Sequence, residues 1–246
     1  MASSMSNNEV EIFLAELLSG GYVKAREWPS DFPFTAADLG LETEFKEGRL
    51  SVTEPVHELD IPYLKNALAK TEPSLNLRYS RLVSSTNTML VDHYSKGHDA
   101  DSLFLCEFQY EGRGRRGKIW RSPYASTIMF SLGIKIPESQ KSIKGLSCAL
   151  GLSVANTLMS LGIPNVSVKW PNDVYIEGRK VCGILVELVS IKSHTSAVVI
   201  GVGLNYRLTD NYVDLIDQPS TDLVNQGILE SRSHVLRRSV EKLCED

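Results

Sequence analysis

The order of strand-like and helix-like segments between residues 76 and 205 constrains the fold of this chain most strongly. Apolar runs of strand length alternate with helical patterns, but the later strands follow one another through short turns, as in hairpins. This order predicts an α+β fold rather than a doubly wound parallel sheet. The predicted strands cover 76–83, 102–108, 125–136, 166–170, 175–176, 180–189 and 195–205, and the predicted helices cover 85–96, 139–161 and 220–243.

Residues 1–55 differ from the rest of the chain in composition. They carry ten acidic and four basic residues, a net charge of −6, against −4 for all 246 residues. Helical spacing of apolar residues predicts a helix over 9–18 that ends at the glycine pair 20–21, and 43–52 is typical of a short hairpin. We therefore expect a small domain over 1–55 and a main domain over 56–246.

The overall composition argues against several classes of protein. No run of 18 or more apolar residues is present, and the N-terminus lacks a basic start followed by an apolar core, so neither a membrane span nor a secretory signal is predicted. A net charge of −4 gives no general attraction to nucleic acid. The four cysteines are far apart and form no CxxC pair, which favours free thiols in a cytoplasmic protein over disulfides or a zinc site.

A basic, glycine-rich loop over residues 112–118 is the clearest candidate for ligand binding. Its sequence, GRGRRGK, places three glycines and four cations in seven positions. The glycines let the backbone approach a ligand, and arginine donors suit phosphate or carboxylate groups. We expect the loop to be self-repelling when empty and ordered when an anion binds, although a solvated basic loop or a nucleic-acid patch has the same composition.

Two nucleotide-binding fingerprints match this loop by spacing but not by context. A dinucleotide-binding turn needs a helix directly after it, and Pro123 disfavours one here. A P-loop needs a Ser or Thr after its lysine, and Ile119 stands in that place. The loop is therefore not predicted to belong to either motif.

Four other segments carry polar or glycine residues where a site would use them. Residues 84–87 (SSTN) offer hydroxyl and amide groups at a helix start, although such residues also serve as plain helix caps. Residues 169–173 (KWPND) end a strand with an aromatic side chain, a rigid turn and a carboxylate. Lys180 begins a strand from which it could reach an anion, and 201–205 (GVGLN) has glycines that would admit a ligand against the strand.

These motifs, in this order, resemble the biotin protein ligase family. The matching stretches are SSTN, GRGRRGKxW, KWPNDVY, RKVCGILVE and IGVGLN, and they span roughly residues 76–207. Lipoyl ligases share the fold, but the pairing of GRGRRG with KWPND resembles the biotin branch. The resemblance implies a class II synthetase-like catalytic fold, in which a mixed or antiparallel sheet is flanked by helices.

The resemblance also implies a two-step, ATP-dependent reaction. The carboxylate of biotin attacks the α-phosphate of ATP and gives biotinyl-5'-AMP and pyrophosphate, with Mg²⁺ on the phosphates. A lysine of a biotin carboxyl carrier protein or domain, such as that of acetyl-CoA carboxylase, then attacks the mixed anhydride and releases AMP. This chemistry needs charge neutralisation and alignment more than a covalent nucleophile on the enzyme.

By the same resemblance, each motif contributes side chains to one site. The implied catalytic residues are Arg115, Lys180 and Asp173. The implied biotin-binding residues are Ser85, Thr86, Asn87, Gln109, Gly112, Arg113, Gly114, Lys180 and Gly183. The implied nucleotide-binding residues are Arg115, Lys118, Trp120, Asn172 and Asn205, with Trp120 stacked on the adenine, and no side chain is assigned as a metal ligand.

Two regions depart from the family pattern. Members usually continue into a C-terminal β-barrel, and no strand-rich segment follows the last predicted helix, so we expect that barrel to be absent. Bifunctional members begin with a DNA-binding winged helix. Residues 1–55 have a matching first helix and wing-like hairpin but no clear recognition helix, and their charge of −6 argues against DNA binding.

Three functions are compatible with these features. An ATP-dependent biotin protein ligase is favoured; the alternatives are a transcriptional repressor that responds to biotinyl-adenylate and a non-catalytic relative that binds biotin. A homodimer formed by edge pairing of the 180–205 hairpin is a separate hypothesis.

Overall fold

The computed structural model describes residues 5–19, 22–23, 28–137, 143–191, 195–209, 212, 216 and 218–246. The chain divides into two compact units. The N-terminal unit comprises 1–58 with 123–125, and the larger unit comprises 59–122 with 126–246. The glycine pair 20–21, predicted to end the first helix, lies outside the described residues.

The N-terminal unit contains a helix and a hairpin where the sequence predicts them. Helix α1 spans Asn7–Ser19, and strands β1 (Thr43–Lys46) and β2 (Arg49–Val52) pair antiparallel. The turn residues Glu47 and Gly48 both have positive φ, 51° and 74°, as a two-residue hairpin turn favours. This turn matches the right-handed twist of the two strands that it joins.

A small aromatic cluster fills the core of the N-terminal unit. The rings of Phe13, Trp28 and Phe32 lie with centroids 5.2–5.4 Å apart. Between the helix and the hairpin, the described residues 28–42 form turns and bends. The described part of this unit therefore contains no second helix that could serve for recognition of DNA.

The larger unit is built from a seven-stranded sheet and four α-helices among its described residues. The strands are β3 (Asn76–Val83), β4 (Ser102–Gln109), β5 (Thr127–Pro137), β6 (Val166–Lys169), β7 (Asp173–Ile176), β8 (Arg179–Ile191) and β9 (Thr195–Asn205). The helices are α2 (Ile61–Thr71), α3 (Thr86–Ser95), α4 (Leu146–Ser160) and α5 (Arg232–Glu245).

The sheet is mixed, with the strand order β3-β4-β5-β9-β8-β7-β6. Strands β3 and β4 are parallel, and α3 supplies the crossover that a parallel pair needs. Every other neighbouring pair is antiparallel. The predicted α+β class, with a mixed sheet flanked by helices, is confirmed.

The sequence does not predict helix α2, because Pro62 favours a connection at this point. Pro62 instead lies in the first turn of the helix, where its missing N–H costs no hydrogen bond. Asp60 caps the helix by accepting a hydrogen bond from the Tyr63 N–H at 2.9 Å. Leu64 and Leu68 then reach the core from one face of the helix.

Two predicted helices are shorter in the structure. The helix predicted over 139–161 begins only at Leu146, after Gly145 with φ 80°, and residues 138–142 lie outside the described part. The helix predicted over 220–243 begins at Arg232, because the preceding residues bury Leu223 and Ile228 through turns. Among the helices that the structure describes, none is long and apolar enough to cross a bilayer.

The two faces of the sheet bury different clusters. On one face, apolar side chains of the central strands pack with α2, α4 and α5 to form the main core. On the other face, α3 packs Leu90 and Tyr94 over Phe104, Cys106 and Met129. Because side chains alternate along a strand, the same strands supply both clusters. Helix α3 covers only part of its face, and a cleft lies beside it.

A buried ion pair ties α5 to the sheet. Arg232, in the first turn of α5, lies with Nη2 2.5 Å from Oε2 of Glu107, whose side chain is fully buried. The other oxygen of Glu107 accepts hydrogen bonds from the Leu59 N–H at 2.7 Å and the Tyr79 hydroxyl at 3.3 Å. A carboxylate in this position is tolerated because each of its oxygens has a donor.

Candidate active site

A cleft of about 820 Å³ opens on the α3 side of the sheet, over strands β9 and β8. It is lined by residues from all five motifs that the sequence singles out. Of the residues predicted for the site, every one except Gly112 lines this cleft. Residues up to 135 positions apart in the chain are therefore brought together around one cavity.

Glycines make the floor of the cleft flat. Gly183 on β8 is paired in register with Gly203 on β9, and Gly201 lies on the same face two residues earlier. A Cβ atom at Gly203 would lie 2.6 Å from the indole of Trp120, and one at Gly183 would lie 3.0 Å from it. A Cβ atom at Gly201 would lie 2.1 Å from Oδ1 of Asn87. The space beside these glycines is thus used by two side chains of the protein itself.

The start of α3 forms one end of the cleft. Ser85 occupies the N-cap position with an extended backbone, but its side chain makes no capping hydrogen bond. Instead, Gln109 Oε1 accepts the Thr86 N–H at 2.7 Å and lies 3.1 Å from the Thr86 hydroxyl. The first N–H of the helix, which has no partner within the helix, is therefore bonded by the Gln109 side chain rather than by the N-cap residue.

A hydrogen-bonded chain continues from this end along the sheet. Ser131 Oγ lies 2.8 Å from Thr86 Oγ1 and 2.5 Å from Asn87 Oδ1. Asn87 Nδ2 donates to Glu187 Oε2 at 2.8 Å, and Glu187 Oε1 lies 2.6 Å from Arg113 Nη2. The chain links the start of α3 to the basic loop.

Ser131 and Glu187 are not among the predicted site residues. Both lie on strands that the sequence identifies, and the signal that would have found them is strand parity. Ser131 pairs with Gly201 across the sheet, and Glu187 lies four residues after Gly183, so both side chains point to the glycine face. Ser131 in β5 and Glu187 in β8 are each a polar residue within an apolar stretch, and this indicates that they face the cleft side of the sheet.

The basic loop is folded as a narrow hairpin. Gly112 O accepts the Trp120 N–H at 2.8 Å, Gly114 N–H donates to Lys118 O at 2.8 Å, and a 3-10 turn spans Arg115–Gly117. A Cβ atom at Gly112 would lie 2.3 Å from the carbonyl oxygen of Trp120, so the returning strand requires this glycine. No helix follows the loop; the next regular element is β5. The prediction that no helix follows the loop, which argues against a dinucleotide-binding turn, is confirmed.

Lys180 is held by its contacts with Asp173, with the Trp120 ring and with the backbone of residues 219–221. Its Nζ atom is 2.8 Å from Asp173 Oδ1 and 5.7 Å from the centre of the Trp120 ring. Its backbone is held by Pro219 O and the Thr221 N–H, each at 2.9 Å. Only 13% of the Lys180 side chain is exposed, so it is not a freely solvated hairpin lysine.

The remaining predicted residues surround this centre. Arg115 Nη1 donates to Asn172 Oδ1 at 3.1 Å, and Asn172 Nδ2 donates to Ile184 O at 3.0 Å. Asn205 is buried and donates to Thr221 O at 3.1 Å. Stacking of Trp120 on an adenine stays a prediction, because in the structure its indole rests on the glycine floor.

The cleft is strongly cationic. Six of its described lining residues are lysine or arginine, and Asp173 is the one carboxylate among them. Concentrated positive charge around a concave surface attracts and orients anionic ligands. The six cations are Arg113, Arg115, Arg116, Lys118, Arg121 and Lys180.

The cysteines nearest the cleft are not available as nucleophiles. Cys106 and Cys182 are fully buried, and burial raises the pKa of the Cys182 thiol to about 12 and that of the Cys106 thiol well above its ordinary value. Both thiols are therefore protonated near neutral pH, and the thiolate is the nucleophilic form.

Comparison with known proteins agrees with the geometry. The model of the biotin/lipoate A/B protein ligase family matches residues 79–205, more than half of the chain. The bifunctional ligase/repressor BirA of Salmonella typhimurium is 32% identical over 210 residues, which cover 85% of this chain and 64% of that protein. The biotin–[acetyl-CoA-carboxylase] ligase of Mycobacterium tuberculosis is 33% identical over 165 residues, covering 65% and 59%. The chain thus spans less than two thirds of the length of these relatives.

A solved structure gives the same result for the fold. The biotin protein ligase of Aquifex aeolicus in complex with biotin and ATP is 29% identical, with a TM-score of 0.56 over 69% of each chain. The resemblance to biotin protein ligases, inferred from five motifs, is confirmed. The chain belongs to the biotin/lipoate A/B protein ligase family.

Proposed function

We propose that this chain acts as an ATP-dependent biotin protein ligase, which makes biotinyl-5'-AMP and transfers the biotinyl group to a lysine of a carrier domain. One observation carries the proposal. A single cleft places the polar end formed by Thr86 and Gln109 and the cationic end formed by Lys180 and the basic loop on one glycine floor. Biotin has a matching shape, with a polar ureido ring at one end and a carboxylate at the other.

In the first step, a carboxylate oxygen of biotin forms a bond to the α-phosphorus of ATP, and the bond from that phosphorus to the pyrophosphate oxygen breaks. Both reactants are anions, so their approach needs fixed positive charge. Lys180 and Arg113 would neutralise the carboxylate, and Arg115 and Lys118 would face the phosphates. The buried thiols take no part, which fits a direct displacement without an enzyme nucleophile.

Magnesium would bind together with ATP, coordinated by the triphosphate. The cleft offers it hard oxygen donors, namely the Asp173 carboxylate and the Asn172 side-chain carbonyl. Magnesium is commonly bound by one or two carboxylates together with substrate phosphates, so these residues fit. When bound, the ion supplies neutralisation of phosphate charge. The chain's own contribution is that Asp173 also holds Lys180 at 2.8 Å and so fixes the position of its ammonium group.

In the second step, the neutral amine of a carrier lysine attacks the carbonyl carbon of biotinyl-5'-AMP, AMP leaves, and the amine loses a proton. Arg115 and Lys180 would hold the phosphate of the anhydride until then. The hairpin of the basic loop would shield the anhydride from water. The acceptor we infer is a biotin carboxyl carrier domain of acetyl-CoA carboxylase, the carboxylase after which the Mycobacterium tuberculosis ligase is named.

A ligase function is favoured over that of a DNA-binding repressor. The first 55 residues carry a net charge of −6, and their described part contains α1 and a hairpin but no second helix. Phosphate contacts would be sparse on such a surface. A homodimer is a separate proposal. It is supported by β8, whose described residues 185–191 pair with a neighbouring strand, β9, on one side only.

The test is a reconstitution with biotin, ATP, Mg²⁺ and a purified carrier domain. Pyrophosphate release and the mass of the carrier are measured together. Release of pyrophosphate with one biotinyl group on the carrier lysine is the expected result. Biotin binding without pyrophosphate release would instead favour a non-catalytic binding protein, and pyrophosphate release without carrier labelling would contradict the transfer step.

A further inference from the structure

Glu187 lies beside the cleft and contacts two parts of it at once. It is on β8, on the same face as Gly183, and 23% of its side chain is exposed. One carboxylate oxygen lies 2.6 Å from Arg113 Nη2, and the other accepts from Asn87 Nδ2 at 2.8 Å. Asn87 belongs to the start of α3, and Arg113 is the first cation of the basic loop.

The charge on Glu187 fixes the orientation of the Asn87 amide. A carboxylate only accepts hydrogen bonds, so Asn87 must turn its NH₂ group toward Glu187 and its oxygen toward Ser131. The Ser131 hydroxyl, 2.5 Å from that oxygen, must then donate to it. This leaves a lone pair of Ser131 facing the Thr86 hydroxyl at 2.8 Å.

The amide of Gln109 is oriented separately, by the backbone of Thr86. Its Oε1 is occupied by the N–H of Thr86 at 2.7 Å, so its NH₂ group is turned away from Thr86 and lies 3.3 Å from the sulfur of Met129. Donors and acceptors from Glu187 through Asn87 and Ser131 to the Thr86 hydroxyl therefore follow one direction, which starts at the carboxylate of Glu187. Reversing one amide would leave two donors or two acceptors facing each other.

At the other end, Glu187 holds the basic loop. Arg113 has a second contact, from Nη1 to the Thr88 hydroxyl at 3.3 Å, so its guanidinium is bound by one group on β8 and one on α3. An isolated ion pair at this exposure would contribute little. Here the pair is joined to Asn87, so it connects the position of the loop to the polar end of the cleft.

We propose that Glu187 is a positioning residue that couples occupation of the polar end of the cleft to closure of the basic loop, an inference that rests on the proposed function. It touches neither reacting group. A ligand whose ring hydrogen-bonds to Thr86 and Gln109 stabilises the chain of donors and acceptors. The chain in turn holds Arg113, so the loop closes more firmly when biotin is bound.

Glu187→Gln tests this, because an amide of the same shape accepts with one atom and donates with the other. Both partners of Glu187 are donors, so the variant keeps one contact and loses the other. We expect trypsin to cut ligand-free Glu187→Gln at Arg113 several-fold faster than wild type. We also expect the ratio of the cleavage rates without and with biotin to fall to about one in this variant. The kcat/KM for biotin should fall about ten-fold or more.

Glu111→Gln is the matched control. It removes the same charge two residues before Arg113, and its carboxylate is exposed. Arg113→Ala combined with Glu187→Gln completes a double-mutant cycle, which is measured by kcat/KM for biotin. We expect the double variant to lower kcat/KM no more than the worse of the two single variants does. Unchanged melting of Glu187→Gln separates lost coupling from simple loss of structure.

The outcomes are distinct. If Glu187→Gln matches Glu111→Gln both in ligand-free cleavage and in biotin protection, Glu187 does not hold the loop and the inference is wrong. If wild type fails to bind biotin, the proposed function is wrong, and so is the inference that biotin at the polar end of the cleft closes the loop. The cleavage rate of the ligand-free proteins still decides whether Glu187 holds Arg113.

Discussion

Lys180 Nζ lies 2.8 Å from Asp173 Oδ1, and both side chains are mostly buried in the cationic cleft. The pair is the one place among the described lining residues where a carboxylate meets this excess of positive charge. Asp173 therefore fixes the direction of the lysine without neutralising the cleft. An incoming carboxylate or phosphate meets a donor that is already in position, which is the arrangement that lowers reorganisation in the transition state.

We expect Lys180→Ala to lose adenylate formation while keeping the fold. Losing a charge-assisted contact made in the transition state costs about 3 kcal/mol, a fall of a hundred-fold or more in rate. The free energy of unfolding should fall by about 1–3 kcal/mol, because the variant leaves the buried Oδ1 of Asp173 without its ammonium partner. Pyrophosphate release and urea unfolding are measured on the same preparation. Arg179→Ala, on the same strand but paired with Glu177 outside the cleft, is the control; equal rates for both variants would contradict the role.

Arg115→Gly should separate making the adenylate from keeping it. Arg115 reaches Asn172 at 3.1 Å, whereas Arg113 pairs with Glu187, so Arg113 and Lys180 remain to support activation. The intermediate should then escape and label lysines of an unrelated protein added to the mixture. Arg116→Gly removes the same charge from the next position and should label only the carrier. An unlabelled bystander with undiminished carrier labelling would show that Arg115 does not retain the intermediate.

Biotin together with ATP should protect the basic loop from trypsin. Four cations at close spacing repel one another until anions are bound, so cleavage after Arg113, Arg115 or Arg116 should slow when both ligands are present. The rate of each cut is followed by mass spectrometry. Cleavage at Lys46 or Arg49, in the hairpin of the N-terminal unit, serves as an internal reference. Equal loop cleavage with and without ligands would rule out ordering.

Cys182→Ala should leave the reaction intact and change stability at high pH. Burial raises the pKa of the Cys182 thiol from 9.0 to about 12, so its stabilising contribution is full below pH 9. Between about pH 9 and 12 the unfolded chain releases this proton and the folded chain does not, so the free energy of unfolding falls as pH rises. The variant lacks that contribution, and its decline over this range should be shallower by about 1 kcal/mol per pH unit. Denaturant unfolding of both proteins measures the difference; parallel declines would contradict it.

Glu107→Gln should be strongly destabilising. It leaves Arg232 charged and buried beside a neutral partner, and breaking a buried pair by removing one charge costs about 3–5 kcal/mol. Glu245→Gln breaks a largely exposed pair with Lys242 within α5 and should change stability little. Urea midpoints of the two variants provide the comparison. Similar midpoints would mean that the buried carboxylate is not needed to hold α5.

The sequence predicts the central strands and the residues around the cleft because both have strong local signals. β3 and β9 have the predicted bounds, since β9 is a largely apolar run that ends at Asn205 and the first part of β3 alternates apolar and polar residues. The helices are harder to predict. The start of α2 at Pro62 and the turn at Gly227, before α5, are set by which backbone N–H and C=O groups find hydrogen-bond partners. The periodicity of apolar residues does not report this. Ser131 and Glu187 are missed because their roles depend on which face of a strand they occupy.

The glycine floor determines how the ligand preference of this cleft can be altered. Gly183, Gly201 and Gly203 have no side chain to trim, so no substitution at these positions can make the cavity deeper. A methyl group at Gly183 or Gly203 would instead displace Trp120, and one at Gly201 would displace Asn87. The size of the displacement would differ among the three positions. Selection for bulkier ligands must therefore change α3 or the loop, whereas selection for slimmer ones has three positions in the sheet at which to act.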